Sequence, residues 1–191
     1  MKKLKHLFAI PVVFLLLLVT PAVAADDWVV VSDESSIRFT GTQTGEAFSG
    51  VFKRFETDIS YDPDNPADAR VRAVVDLASV STGDTQRDTA LPTKDWFFVS
   101  SFPQATFEAV GFQLIGGNLF NVTGKLSLRG LEQNITLPID LKVEGSRAAM
   151  QTTFTLKRAD FGVGTGPWAE GKWVGLDVII TLNIIAERRM P

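Results

Sequence analysis

The chain has 191 residues, 21% of them charged, with a formal net charge of −3, one histidine and no cysteine. A disulfide framework and a lipidated cysteine are therefore unavailable, and an acidic balance argues against nucleic acid or an anionic membrane surface as the main partner. The one histidine, His6, stands at the extreme N-terminus, so the remainder lacks the commonest zinc, copper and haem ligands, the usual general base and any thiol nucleophile. No metal site and no catalytic residue is expected.

The first predicted element is a secretory signal. Basic Met1-Lys-Lys-Leu-Lys-His6 precedes an apolar run, Leu7 to Val19, closing on Ala22-Val23-Ala24, the three-part layout of an export signal. At about 13 residues the run is too short for a hydrocarbon core that needs roughly 20. Cleavage after Ala24 removes three of the 19 Lys+Arg and none of the 22 Asp+Glu, leaving 16 against 22. Residues 25–191 are then expected as one exported domain, large enough to bury a core without staples, with no transmembrane segment.

Several segments alternate at period two, the pattern of strands with one buried face, and with further candidates they make about nine strands. In chain order they are Trp28 to Val31, Ser36 to Thr42, Ala47 to Tyr61, Ala69 to Leu77, Ala105 to Leu114, Phe120 to Arg129, Ile135 to Val143, Ala149 to Lys157 and Trp173 to Ala186. In the third, Phe48, Gly50 and Phe52 shift phase to Phe55, Ile59 and Tyr61, which predicts a bulge or bend. Phe120 to Val143 is read as a hairpin turning at Arg129-Gly-Leu-Glu-Gln-Asn134. Between Ser81 and Phe102 the rhythm breaks, and Asp84 to Leu91 is read as a short helix with a Ser/Thr cap and a stop at Pro92. Many antiparallel strands with turns at Asp62 to Pro66 and Gly116 to Asn118 point to a barrel or a sandwich.

Carboxylate pairs (Asp26 with Asp27, Asp33 with Glu34, Asp84 with Asp88) read as surface charge. There is no Gly-x-Ser-x-Gly elbow, and the glycine-rich Phe161 to Pro167 precedes strand-like sequence rather than a helix, so it is not a nucleotide loop. Aromatics cluster at Trp96-Phe-Phe98, Phe102, Phe107, Phe161, Trp168 and Trp173. They suit either a filled core or a barrel wide enough to keep a cavity, and periodicity does not separate the two.

The ordered set Ser36-Ile-Arg-Phe39, Gly50-Val-Phe-Lys-Arg-Phe55, Thr82-Gly83, Arg87-Asp88, Asp95-Trp-Phe97, Phe102-Pro103, Gly124-Lys-Leu-Ser-Leu-Arg-Gly130, Thr136-Leu-Pro138 and Arg158-Ala-Asp-Phe-Gly162 resembles the YceI-like family over essentially the whole chain after the signal. The resemblance implies an all-β, single antiparallel lipocalin-like barrel of about eight strands with a short helical crossover around 82–98. It also implies a cavity for a polyisoprenoid or related lipid, with no covalent cofactor, in the periplasm. Gly164-Thr-Gly-Pro-Trp168 resembles members associated with membrane b-type cytochromes, which makes an isoprenoid quinone a ligand and such a cytochrome a partner to consider. Where many members carry His-Leu and a third-position Asp, this chain has Ala90-Leu91 and Phe98. Expected cavity residues are Phe39, Phe52, Trp96, Phe97, Phe107, Phe120, Leu126, Phe154, Phe161 and Trp168. Expected headgroup residues at the mouth are Arg87, Asp88, Lys94 and Arg158. The rivals are a quinone-carrying redox accessory and an enzyme acting on an isoprenoid or acyl compound, and a monomer and a homodimer are both compatible with the sequence.

Overall fold

The structure, a computed structural model, describes residues 26–189, so the signal-peptide reading lies outside the described residues. Eleven strand segments form one sheet: β1 (Asp26–Val30), β2 (Ser36–Gln43), β3 (Glu46–Phe52), β4 (Phe55–Tyr61), β5 (Arg70–Asp76), β6 (Val80–Ser81), β7 (Gln104–Gly116), β8 (Leu119–Leu128), β9 (Leu131–Glu144), β10 (Arg147–Lys157) and β11 (Asp177–Arg188). Neighbours run β1-β4-β5-β7-β8-β9-β10-β11, and β1 pairs back onto β11, so eight strands close into an antiparallel barrel. The remaining three segments prolong it. One edge of β11 carries β2 along Ile179 to Asn183 and β1 along Ala186 to Arg188. Hence β1 and β2, β3 and β4, and β5 and β6 are three long strands, each broken once.

The breaks fall side by side, and serines bridge them. The Ser35 hydroxyl donates to the Val31 carbonyl at 2.8 Å and accepts from the Ile185 N–H at 3.0 Å. Ser79 accepts from the Arg54 N–H at 3.0 Å and donates to the Asp76 carbonyl at 2.6 Å. These hydroxyls satisfy backbone groups that leave the ladder, which lets the wall crease without orphaned donors. The predicted bend within Ala47 to Tyr61 is the break at Lys53-Arg54.

Three expectations need correction. The β8–β9 turn is Arg129-Gly130 alone, with φ of +52° and +75°, the conformation of a two-residue primed hairpin. Polar Glu132, Gln133 and Asn134 look like loop, but they continue the ladder opposite Ser127, Leu126 and Lys125. Helix α1 (Thr85–Ala90) is capped by Asp84, which accepts from the Arg87 N–H at 2.9 Å, rather than by Ser or Thr. The last strand begins at Asp177, not Trp173, because Trp173 to Leu176 is loop, held to its surroundings by the isolated bridge of Val174 to Gln43 and by the Arg158 N–H donating to the Leu176 carbonyl. The two-residue β6 is too short to show a period.

One end of the barrel is capped by 82–103 and 158–176. Beneath them lies a buried cluster that includes Phe39, Leu77, Leu91, Trp96, Phe97 and Phe161, with Leu77 only 1% exposed. Trp28, Tyr61, Ala148 and Ala186 fill the opposite end, and Phe120, Val122, Leu137 and Ile139 form a third cluster on β8 and β9.

Candidate functional site

The lumen between these ends is not filled. A cavity of about 220 Å³ occupies the middle of the barrel, and a second of about 160 Å³ lies under the cap. Ile37 and Val75 line both, so the two chambers adjoin at that pair. Taken together they reach the range of roughly 300–1,000 Å³ typical of small-molecule sites. Their walls come from alternate residues of the strands, which is why side chains of Val, Ile, Leu, Phe and Met dominate.

Two glycines shape the lumen. A Cβ on Gly50 would lie 2.3 Å from the Phe39 ring, and one on Gly124 would lie 2.3 Å from the Phe107 ring. Each glycine lets an inward phenylalanine lie flat across the neighbouring strand instead of projecting into the space, an aromatic-over-glycine arrangement.

The expected cavity residues distribute as follows. Phe107 and Phe154 line the middle chamber, and Phe39, Phe52, Trp96 and Phe97 line the chamber under the cap. Phe39, Phe52 and Phe97 form a chain of ring contacts at 5.5 and 5.9 Å. Phe120 is buried at the far end of β8, and Leu126 packs against the capped cluster. Phe161 is buried in that same cluster, and Trp168 packs against Trp96 with centroids 5.6 Å apart and the rings tilted by 43°. These last four help form the wall without lining either chamber.

The four expected headgroup residues are occupied differently. Arg158 is 5% exposed, and its guanidinium donates to five carbonyls: Gly175 at 2.9 Å, Val163 at 2.7 Å, Gly164 at 3.2 Å, Trp168 at 2.5 Å and Val174 at 2.7 Å. It also sits 5.4 Å from the Trp96 ring. Burial lowers its pKa, yet a guanidinium stays protonated. The bonds tie the glycine-rich loop across the barrel end, and Gly164 is required there because a Cβ would lie 2.2 Å from Arg158 Nη1. Asp88 accepts from the Thr82 N–H and hydroxyl, both at 2.7 Å. Those bonds hold its carboxyl below the usual range. Arg87 lies over the Phe48 ring at 4.8 Å and donates to Gln43. Lys94 is exposed, and its carbonyl accepts from Arg129 at 2.8 Å.

Sequence reasoning missed several lining residues, including Trp28, Thr57, Tyr61, Met150 and Ile184. Alternation marks most of them as inward, but it does not distinguish a side chain facing a cavity from one packed against another. Burial, with a smaller contribution from Asp62, pushes the Tyr61 phenol up, so it remains neutral in the chamber wall.

A YceI-like domain profile matches residues 28–186. The Protein YceI of Escherichia coli O6:H1 is 30% identical over 147 residues, which is 73% of this chain and 74% of that protein. A UPF0312 protein of Yersinia pestis is 33% identical over 122 residues, 61% of this chain and 63% of its own length. Among solved structures, Burkholderia cenocepacia BcnA superposes with a TM-score of 0.79 at 31% identity, covering 82% of this chain and 98% of that one. A polyisoprenoid binding domain from Saccharophagus degradans shares the fold at a TM-score of 0.68 and 17% identity, covering 86% and 99%. The closed eight-stranded barrel, the matching profile and these relatives place the chain in the YceI-like family.

Proposed function

We propose that this protein holds a long apolar isoprenoid lengthwise in the barrel, for transport, storage or sequestration. The observation that carries the reading is the pair of adjoining chambers, about 220 and 160 Å³, walled almost entirely by apolar side chains. A chain of isoprene units removed from water there gains about 25 cal/mol per Å² of apolar surface, so affinity needs few polar contacts. The Saccharophagus neighbour, named for polyisoprenoid binding, supports the same ligand class.

The finer assignments extend this reading. The protein acts as a binding protein and not an enzyme, after export to the periplasm. Its aromatic wall residues Phe39, Phe52, Phe107 and Phe154 touch the chain. An isoprenoid quinone passed to or from a membrane b-type cytochrome is the redox form of the same function.

Native mass spectrometry of the purified protein, followed by organic extraction, tests the reading. A stoichiometric isoprenoid is expected, and an absorbance change on reduction would identify it as a quinone. A bare mass, with no uptake of added isoprenoids, would overturn it.

A further inference from the structure

Resting on that reading, the structure points to where the ligand's polar end lies. The two ends of the lumen carry the Arg158-tied cap and the Trp28–Tyr61 cluster, where the Trp28 Nε1–H donates to the Tyr61 carbonyl at 3.0 Å. The side wall is different. β1 pairs β4 only from Asp26 to Trp28, and β2 pairs β3 only from Ile37 onward. From Val29 to Ser36 on one side, and from Lys53 to Asp58 on the other, the two long strands have no ladder partners in each other. A groove of about 600 Å³ lies over this seam. Trp28, Thr57, Ile59 and Val71 line both the groove and the middle chamber, so at this stretch of wall a single layer of residues separates the apolar lumen from the groove outside.

Thr57 stands at that junction. It faces the lumen in step with Ile59 and Tyr61, and its hydroxyl is shielded from solvent with no hydrogen-bond partner among the described residues. A shielded hydroxyl without a partner is costly, and the Thr57 side chain that carries it stands in the lining of the middle chamber, among apolar neighbours. The charge around the groove narrows the ligand class. Four carboxylates (Asp27, Glu56, Asp58, Glu108) face three arginines (Arg70, Arg72, Arg189). Arg72 pairs with Asp58 at 3.8 Å and Glu108 at 3.5 Å, and Arg189 pairs with Asp27 at 3.7 Å. A rim with no cationic surplus does not favour a diphosphate.

We infer that the β1–β4 seam receives the uncharged, oxygen-bearing end of the lipid, a hydroxyl or carbonyl, against the Thr57 hydroxyl, while the apolar chain runs into the two chambers.

The test measures binding of farnesol, farnesene and farnesyl diphosphate to the delipidated protein and to Thr57→Val and Thr57→Ser. Wild type should prefer farnesol to farnesene by about fivefold, the scale of one neutral hydrogen bond, and should prefer it to the diphosphate as well. Thr57→Val should bind both uncharged probes but lose the preference, and Thr57→Ser should keep it. An undiminished preference in Thr57→Val, or a wild type that favours the diphosphate, would overturn the seam assignment and leave lipid binding intact. No binding of any probe to wild type would instead overturn the lipid-binding reading and the inference with it.

Discussion

The capped end of the barrel and its side seam treat polar groups in opposite ways. Under the cap, Arg158 is committed to five carbonyls, Asp88 to Thr82 and Asp84 to the first turn of α1, and of the Arg129 guanidinium that bonds the Lys94 and Gly162 carbonyls only Nε has no partner among the described residues. At the seam, Thr57 holds a hydroxyl that no described residue bonds. Charged residues near a cavity therefore need not face its ligand. A buried cation with every donor engaged is architecture, whereas a modest hydroxyl without a partner is where binding chemistry is still open.

The largest effect expected from breaking this contrast is at Arg158. Replacement by Met removes the donors to five loop carbonyls in a site that is 5% exposed. Breaking such a buried charged network costs about 3–5 kcal/mol, so urea denaturation should show a large drop in midpoint. A loss below about 1 kcal/mol would mean that the loop does not depend on this residue.

Next comes the middle chamber. A Cβ on Gly124 would meet the Phe107 ring at 2.3 Å and the Glu108 carbonyl at 2.7 Å, so Gly124→Ala should push the ring into the lumen. Overpacking of this kind costs about 1–3 kcal/mol, and bound lipid per protein, read by native mass spectrometry, should fall. Unchanged lipid content would show that the ring finds room elsewhere.

Asp88 is a smaller case with a defined pH sign. Its folded pKa lies below the ordinary value because the carboxylate accepts from Thr82. Its contribution is therefore fully present above about pH 4, near the unfolded carboxylate value, and is lost as pH falls through the lower folded value. Asp88→Asn should cost on the order of 1 kcal/mol at pH 7 after allowance for solvent screening. The gap between variant and wild type should close under acid. A gap that stays constant down to pH 2 would remove the carboxylate's charge from the explanation.

Much of the barrel was legible in the sequence because alternation reports which face of a strand is buried, and Phe120 to Leu128 or Ile135 to Val143 has no other simple reading. The creases were less legible. Ser35 and Ser79 look like ordinary loop serines until the positions of Ile185 and Arg54 are known, since each bridges groups far apart in sequence. The same limit governs the site. Phe39 and Phe107 were identifiable as inward aromatics, but their orientation depends on Gly50 and Gly124 across the sheet. Arg158 carries the signature of a conspicuous charge beside a glycine-rich loop, and only the fold shows that its partners are five carbonyls between Val163 and Gly175.

The smallest effect is the sharpest test of the contrast, because stability and binding should move in opposite directions. Thr57 and Val have nearly the same shape, so Thr57→Val changes little but the hydroxyl. Since that oxygen has no partner among the described residues, its removal relieves a desolvation penalty instead of breaking a bond. The delipidated variant should be between neutral and about 1 kcal/mol more stable than wild type. Under the seam assignment, the same variant discriminates less well between an alcohol and a hydrocarbon. A clear destabilisation of the lipid-free protein would mean that the hydroxyl already serves the fold, and Thr57 would then belong with Arg158 and Asp88 as part of the scaffold.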